Sequence, residues 1–235
     1  MPRYYPVLLD VRERPATVIG GDQIAAEKAA TLAASGARVT VISADFGTEL
    51  LELAECGVVT LRHKGYEPGD LAGAFVVVAA TTDKQVIEAI WQETQSRNQP
   101  VNIVDVPRYC TFILPSVLRR GKLAVAVSTE GASPSMAKRI RQQLEEVFPP
   151  AYEVYIDLAA EARALLRQHG ISYDTRDAFF RDFMTSSILA LLGEGELTRA
   201  IEVTVELLRA YGVEARASEL EHALTKEQGY AASEV

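Results

Sequence analysis

Several short stretches of this 235-residue chain put chemistry-bearing residues where a strand gives way to a helix. The first is Val18-Ile19-Gly20-Gly21-Asp22-Gln23-Ile24, an apolar run broken by a glycine pair and resumed as Ala25-Ala26-Glu27-Lys28-Ala29. A glycine turn at such a point lets the backbone approach a pyrophosphate. The helix beginning at Gln23 and Ile24 offers N–H donors and a partial positive charge. On a G-x-G-x-x-G/A frame Gly20 is the first glycine, Ala25 fills the third position, and Asp22 stands where the second glycine belongs. A carboxylate there crowds and repels a pyrophosphate, so the segment reads either as a dinucleotide turn or as a βαβ unit that binds nothing.

Farther along, Ser43 closes the next strand and Asp45 follows it. Asp45 is the candidate partner of the ribose hydroxyls, with a helix cap for the Phe46–Leu51 segment as its alternative. It and the lack of an arginine just after that strand favour NAD over NADP. Thr81 and Thr82 end the apolar run Ala74–Ala80, where small residues leave room beyond a strand's carboxyl end, and Asp83 reads as the cap of the following helix. Asp105 ends another apolar run, Val101–Val104, on the same rim as the glycine turn. It is a candidate general base or substrate-orienting carboxylate, or else a turn aspartate ahead of Pro107. Finally, Ser128-Thr129-Glu130-Gly131-Ala132-Ser133-Pro134, followed by Lys138, Arg139 and Arg141, gathers hydroxyls, backbone N–H groups and cations suited to an anion. Ser133 before Pro134 equally fits a helix N-cap.

The elements that must position these residues alternate. Strands are expected at Tyr5–Leu9, Ala16–Ile19, Arg38–Ser43, Val58–Arg62, Ala74–Ala80 and Val101–Val104, with helices at Gln23–Ser35, Gly47–Glu55 and Lys84–Arg97. That alternation implies right-handed crossovers and an α/β, Rossmann-type, doubly wound parallel sheet. After Pro107 the pattern changes: Phe112–Leu114 and Leu123–Ser128 are strand-like, and Pro134–Val147 is a basic amphipathic helix stopped by Pro149-Pro150. Helices are expected next at Tyr152–His169, Thr175–Leu192, Glu196–Tyr211 and Ala217–Leu224, a helical C-terminal domain in which Tyr152, Tyr155, Phe179, Phe180 and Phe183 are core. The division is 1–113, 114–150, 151–225 and a flexible tail, 226–235.

A formal charge of −8 argues against a nucleic-acid binder, yet Arg108, Arg119, Arg120, Lys122, Lys138, Arg139 and Arg141 crowd one stretch and give local attraction for an anion. No apolar run reaches the roughly eighteen residues that cross a bilayer, and the N-terminus lacks a signal-peptide layout, so the expectation is a cytoplasmic protein with no membrane partner. Cys56 and Cys110 are expected reduced and packed in the core, with no metal site, and His63, His169 and His222 assemble no nucleophilic triad.

Taken together, VIGGDQIAAEKAATLAASGARVTVIS, VVVAATTD, VNIVDVP, FILPS and LAVAVSTEGASPSMAKRIRQQLE resemble, in order and spacing from about Tyr4 to Pro150, the precorrin-2 dehydrogenase/sirohydrochlorin ferrochelatase family. The resemblance implies NAD-dependent oxidation of precorrin-2, a carboxylate-rich tetrapyrrole, to sirohydrochlorin. It also implies a homodimer built through 114–150 and, in some members, insertion of ferrous or cobaltous ion. Carried over, the family's essential aspartate matches Asp105, its cofactor turn Gly20, Gly21 and Asp22, and its serine Ser128. Where the family usually has three glycines this chain has Gly20-Gly21-Asp22. Two rival readings stand beside this one: a nucleotide-sensing protein without chemistry, and a chelatase without dehydrogenase activity.

Overall fold

The computed structural model describes residues 4–232, which form two compact units, one ending at Leu114 and one beginning at Pro115. In the first unit, strands β1 (Pro15–Ile19), β2 (Arg38–Ser43), β3 (Val59–His63), β4 (Val76–Ala79) and β5 (Val101–Ile103) make one parallel sheet in the order β3-β2-β1-β4-β5. Val18 sits in register with Val41 on one side and Val78 on the other. Side chains alternate across the sheet. Ala16, Val18, Val39, Val41, Val76 and Val78 pack on helix α1 (Gln23–Ala33) through Ala25, Ala26 and Ala29, and on α2 (Thr48–Glu55) through Leu50. Ile42, Val77, Ala79, Val101 and Ile103 pack on the opposite face against Ile87 and Ile90 of α3 (Lys84–Ser96). Both faces are covered over the central strands, which is why β4 reads as an unbroken apolar run, whereas the edge strand β3 carries Thr60, Arg62 and His63.

The chain runs outward from β1 to β2 and β3 on one side, then crosses to β4 and β5 on the other. The carboxyl ends of β1 and β4 therefore flank a switch point, the place where open α/β sheets bind ligands.

Two expected strands are absent. Tyr5–Leu9 joins no ladder: the adjacent β1 is already paired on both edges, the segment does not reach the free edges at β3 and β5, and Tyr5, Val7, Leu8 and Leu9 stay exposed. Phe112–Leu114 is held beside β5 by other bonds: the Thr111 amide donates to the Val101 carbonyl at 2.8 Å and Asn102 Nδ2 to the Phe112 carbonyl at 3.0 Å. Cys110 is half-buried, but Cys56 is exposed and does not pack in a core, since it lies at the end of α2 rather than on the helix's inward face.

In the second unit, β6 (Ser116–Arg120), which the sequence reading passed over, and β7 (Leu123–Val127) form an antiparallel hairpin, followed by α4 (Pro134–Val147). Helices α5 (Tyr152–Gln168), α6 (Tyr173–Thr185), α7 (Ile188–Gly193), α8 (Leu197–Ala210) and α9 (Ala217–Ala232) enclose a core that includes Leu158, Leu166, Phe179, Phe183, Ile201 and Leu208. The single helix expected over Thr175–Leu192 is two helices. Ser186 turns extended at the break, its hydroxyl donating to the Phe183 carbonyl at 2.7 Å and accepting from the Ile188 amide at 3.3 Å, the local competition with helical bonding typical of serine. The expected tail 226–235 is helical in its backbone through Ala232, and its last three residues lie outside the described residues.

Candidate active site

At the switch point the first unit opens a cleft of about 740 Å³, a size suited to a cofactor. Its floor is the glycine turn after β1. Gly20 holds φ +134°, and a Cβ there would meet the Ala80 carbonyl oxygen at 2.3 Å. A Cβ on Gly21 would lie 1.8 Å from the Asp45 carbonyl oxygen. Only glycine fits either place. The turn is pinned to its neighbours: the Gly20 amide donates to the Ile42 carbonyl at 3.1 Å, and the Gly47 amide donates to the Gly21 carbonyl at 2.7 Å.

Asp22 is the N-cap of α1, its Oδ1 accepting from the Ala25 amide at 2.9 Å. The carboxylate that interrupts the glycine frame is thus drawn onto its own helix. The successive amides of Gly21, Asp22, Gln23 and Ile24 donate to no acceptor among the described residues, leaving a row of donors at a helix N-terminus, the arrangement that binds a phosphate.

Gly20, Gly21, Asp22, Ile24, Ser43, Thr81, Thr82 and Asp105 all line this cleft, whereas the side chains of Gln23 and Asp45 are exposed outside its lining. Asp45 meets the turn through its carbonyl instead, and it does not cap α2, whose N-cap is Gly47. Asp83 caps α3, accepting from the Gln85 and Val86 amides. Asp105 follows β5 with φ +61°, a left-handed backbone for a residue with a side chain. Such a conformation stores strain and clusters at functional sites, and aspartate tolerates it better than most residues do.

Sequence reasoning missed the wall opposite the turn. Arg108 and Tyr109, in a 3-10 turn at Pro107–Tyr109, line the cleft with Glu88 of α3. The Arg108 guanidinium carbon lies 4.7 Å from the Tyr109 ring centroid, and that ring stacks on Trp91 at 5.4 Å. The Tyr109 hydroxyl donates to Glu88 Oε2, and this bond to a carboxylate raises the tyrosine's pKa. Arg108 makes no ion pair among the described residues, so a cation stacked in place shares the cleft with Asp105. The sequence placed Arg108 in a basic stretch that attracts an anion, but nothing in it showed the stack on Tyr109 and Trp91 or the tie to Glu88.

In the second unit, Ser128 is exposed in the turn after β7 and its Oγ accepts from the Glu130 amide at 3.0 Å. Ser133 caps α4, accepting from the Met136 amide at 3.3 Å, with Pro134 as the first helical residue. Lys138 and Arg139 are exposed on that helix. Among the described residues no group of three or more His, Cys, Asp or Glu side chains is gathered as a metal-ligand cluster.

The parallel sheet, its glycine turn and the donor row define a Rossmann-type NAD(P)-binding protein. Residues 7–116 match the family model described as "Putative NAD(P)-binding", and residues 120–146 match that described as "Sirohaem biosynthesis protein central". The siroheme synthase of Methylobacillus flagellatus is 37% identical over 196 residues, covering 83% of this chain and 42% of that protein. That of Methylococcus capsulatus is 38% identical over 165 residues, covering 70% and 35%. A solved structure named SirC, precorrin-2 dehydrogenase, superposes with a TM-score of 0.72 at 25% identity and covers 86% of this chain and 98% of its own. Over most of its length the chain is thus similar to siroheme synthases and to a precorrin-2 dehydrogenase. It spans less than half the length of the siroheme synthases it matches.

Proposed function

We propose that this protein oxidises precorrin-2 to sirohydrochlorin with NAD. The observation that carries this reading is that one cleft holds both the free amide row at the α1 N-terminus and the Asp105 carboxyl, on the two sides of the switch point. NAD, when bound, supplies the hydride acceptor. The amides of Gly21 to Ile24 would hold its pyrophosphate, Ser43 and the Asp45 loop lie on the ribose side, and Thr81 and Thr82 leave room at the end of β4. Asp105 takes the proton released as a ring C–H bond gives up its hydride. Arg108 binds a substrate carboxylate by charge-assisted hydrogen bonds. On the second unit, Ser128, Ser133, Lys138 and Arg139 offer hydroxyls and cations to further carboxylates.

The protein acts as a homodimer joined through 114–150. A two-stranded hairpin is marginally stable alone, and α4 leaves Met136, Ile140 and Val147 exposed at 56%, 37% and 60% on spacings of a helical stripe. Among the described residues no helix is long and apolar enough to cross a membrane, which is compatible with a cytoplasmic enzyme.

The test is an anaerobic assay with precorrin-2 and NAD, run with and without ferrous or cobaltous ion. NADH should appear with the metal absent. NAD binding without NADH formation would favour the sensing reading, and metal insertion into sirohydrochlorin without NAD would favour the chelatase.

A further inference from the structure

We propose that the helical unit carries a second anion site, between α5 and α6, for a small molecule bearing two or more oxyanion groups. The groove there, about 160 Å³, is lined by Arg163, Arg167, Tyr173, Arg176, Asp177 and Phe180. That volume admits one or two carboxylate or phosphate groups and is too small for a dinucleotide.

Arg163 and Arg167 stand one turn apart on α5, a spacing at which like charges destabilise a helix. Neither forms an ion pair among the described residues. The helix C-terminus favours a cation at Arg167, but it gives no reason for a second one at Arg163. Across the groove, Arg176 adds a third cation. Its Nη1 donates to the Ile171 carbonyl at 2.6 Å, which fixes the side chain while leaving its other donors for a ligand.

Two of the three guanidiniums, those of Arg163 and Arg176, also lie over aromatic rings. Arg163 lies 5.3 Å from the Phe180 centroid and Arg176 lies 6.0 Å from that of Tyr173. Stacking engages the flat face of a guanidinium and keeps its N–H edge available, the edge that grips carboxylate and phosphate in a two-pronged fashion. The acidic lining residue, Asp177, is ion-paired with Arg181, which offsets its charge at the groove. Three cations on one small concavity, two of them held in place and two of them repelling, are explained together by an anion that draws them in.

The experiment is calorimetric titration of the whole chain with pyrophosphate and with citrate at fixed ionic strength, beside the Arg163→Gln/Arg167→Gln variant. Without ligand the variant should melt close to the parent, because relief of the like-charge pair offsets the lost Arg163–Phe180 stack and the lost cation at the helix C-terminus, and its NAD titration should be unchanged. Affinity for the preferred probe should fall at least tenfold in the variant. The better of the two probes assigns the site to phosphate or to carboxylate ligands. Equal titrations of the two chains, or heats that vanish once chloride matches the ionic strength, would overturn the proposal.

Discussion

The carboxylate of Asp22 accepts a hydrogen bond from the amide of Ala25 at 2.9 Å, so the residue that breaks the glycine frame also starts the helix behind it. Glycine at this position would free one more donor and remove a negative charge close to the pyrophosphate path. Asp22→Gly is expected to cost a few tenths of a kcal/mol in stability and to tighten NAD binding by about 1 kcal/mol, roughly fivefold. A thermal-shift titration reads both, and weaker binding in the variant would refute the account.

Asp105 gives opposite expectations for activity and stability. Asp105→Asn, which also tolerates a left-handed backbone, should fold normally and lose about 100-fold or more in turnover. Asp105→Gly relieves the positive φ and should melt at or above the parent temperature while being equally inactive. A well-folded variant with parental turnover would remove Asp105 from the chemistry.

Arg108 lies on the β4–β5 side of the cleft and should act on the substrate rather than on the cofactor. Arg108→Ala is expected to raise KM for precorrin-2 about tenfold, the order of a lost charge-assisted bond, with NAD affinity unchanged. Tyr109→Phe, which loses the bond to Glu88 and keeps the stack, should move KM in the same direction by less. If NAD affinity falls and KM does not, the assignment is wrong.

Acid sensitivity centres on Glu93, which clamps the β3–β4 loop. Burial alone would raise its pKa. The Tyr66 hydroxyl at 2.7 Å, the Gly69 amide at 2.9 Å and the charge of Arg97 outweigh that and hold it below its ordinary value. A depressed carboxyl contributes stability that is present above its unfolded pKa of about 4.3 and is lost as pH falls through the lower folded value. The melting temperature should therefore hold down to roughly pH 5 and drop below roughly pH 4. Glu93→Gln should flatten that drop; an identical acid slope would exclude Glu93 as its source.

The exposed stripe on α4 makes the oligomeric state testable through one residue. Ile140→Glu places a charge in the middle of the stripe and is expected to yield a monomer by sedimentation at about micromolar concentration, with the helical content of the parent. A variant that remains dimeric places the interface elsewhere.

Much of the sheet was legible because its central strands are covered on both faces, so that runs such as Val76–Ala79 carry no polar interruption. Helix α4 was legible to the residue, since Ser133 and Pro134 mark its start and Pro149-Pro150 its end. Local apolar content misled where no partner strand exists, as at Tyr5–Leu9, and the hydroxyl of Ser186 broke a helix whose periodicity runs on through the break. In the cleft, Gly20, Gly21 and Asp105 stood out by type and position. The Arg108–Tyr109–Trp91–Glu88 wall did not, because α3 and the 3-10 turn supply its members separately and only folding stacks them. The left-handed backbone of Asp105 was also invisible, as aspartate is common in many turns.

Gly21 touches the Asp45 carbonyl and accepts from Gly47, so the loop after β1 and the loop after β2 are fastened at a point where no side chain intervenes. Both loops line the cleft, and this bond ties the movement of one to that of the other. Hydrogen exchange at the Gly47 amide thus becomes a reporter of events at the phosphate turn, slowing in step with ligand occupancy even though that amide faces no ligand.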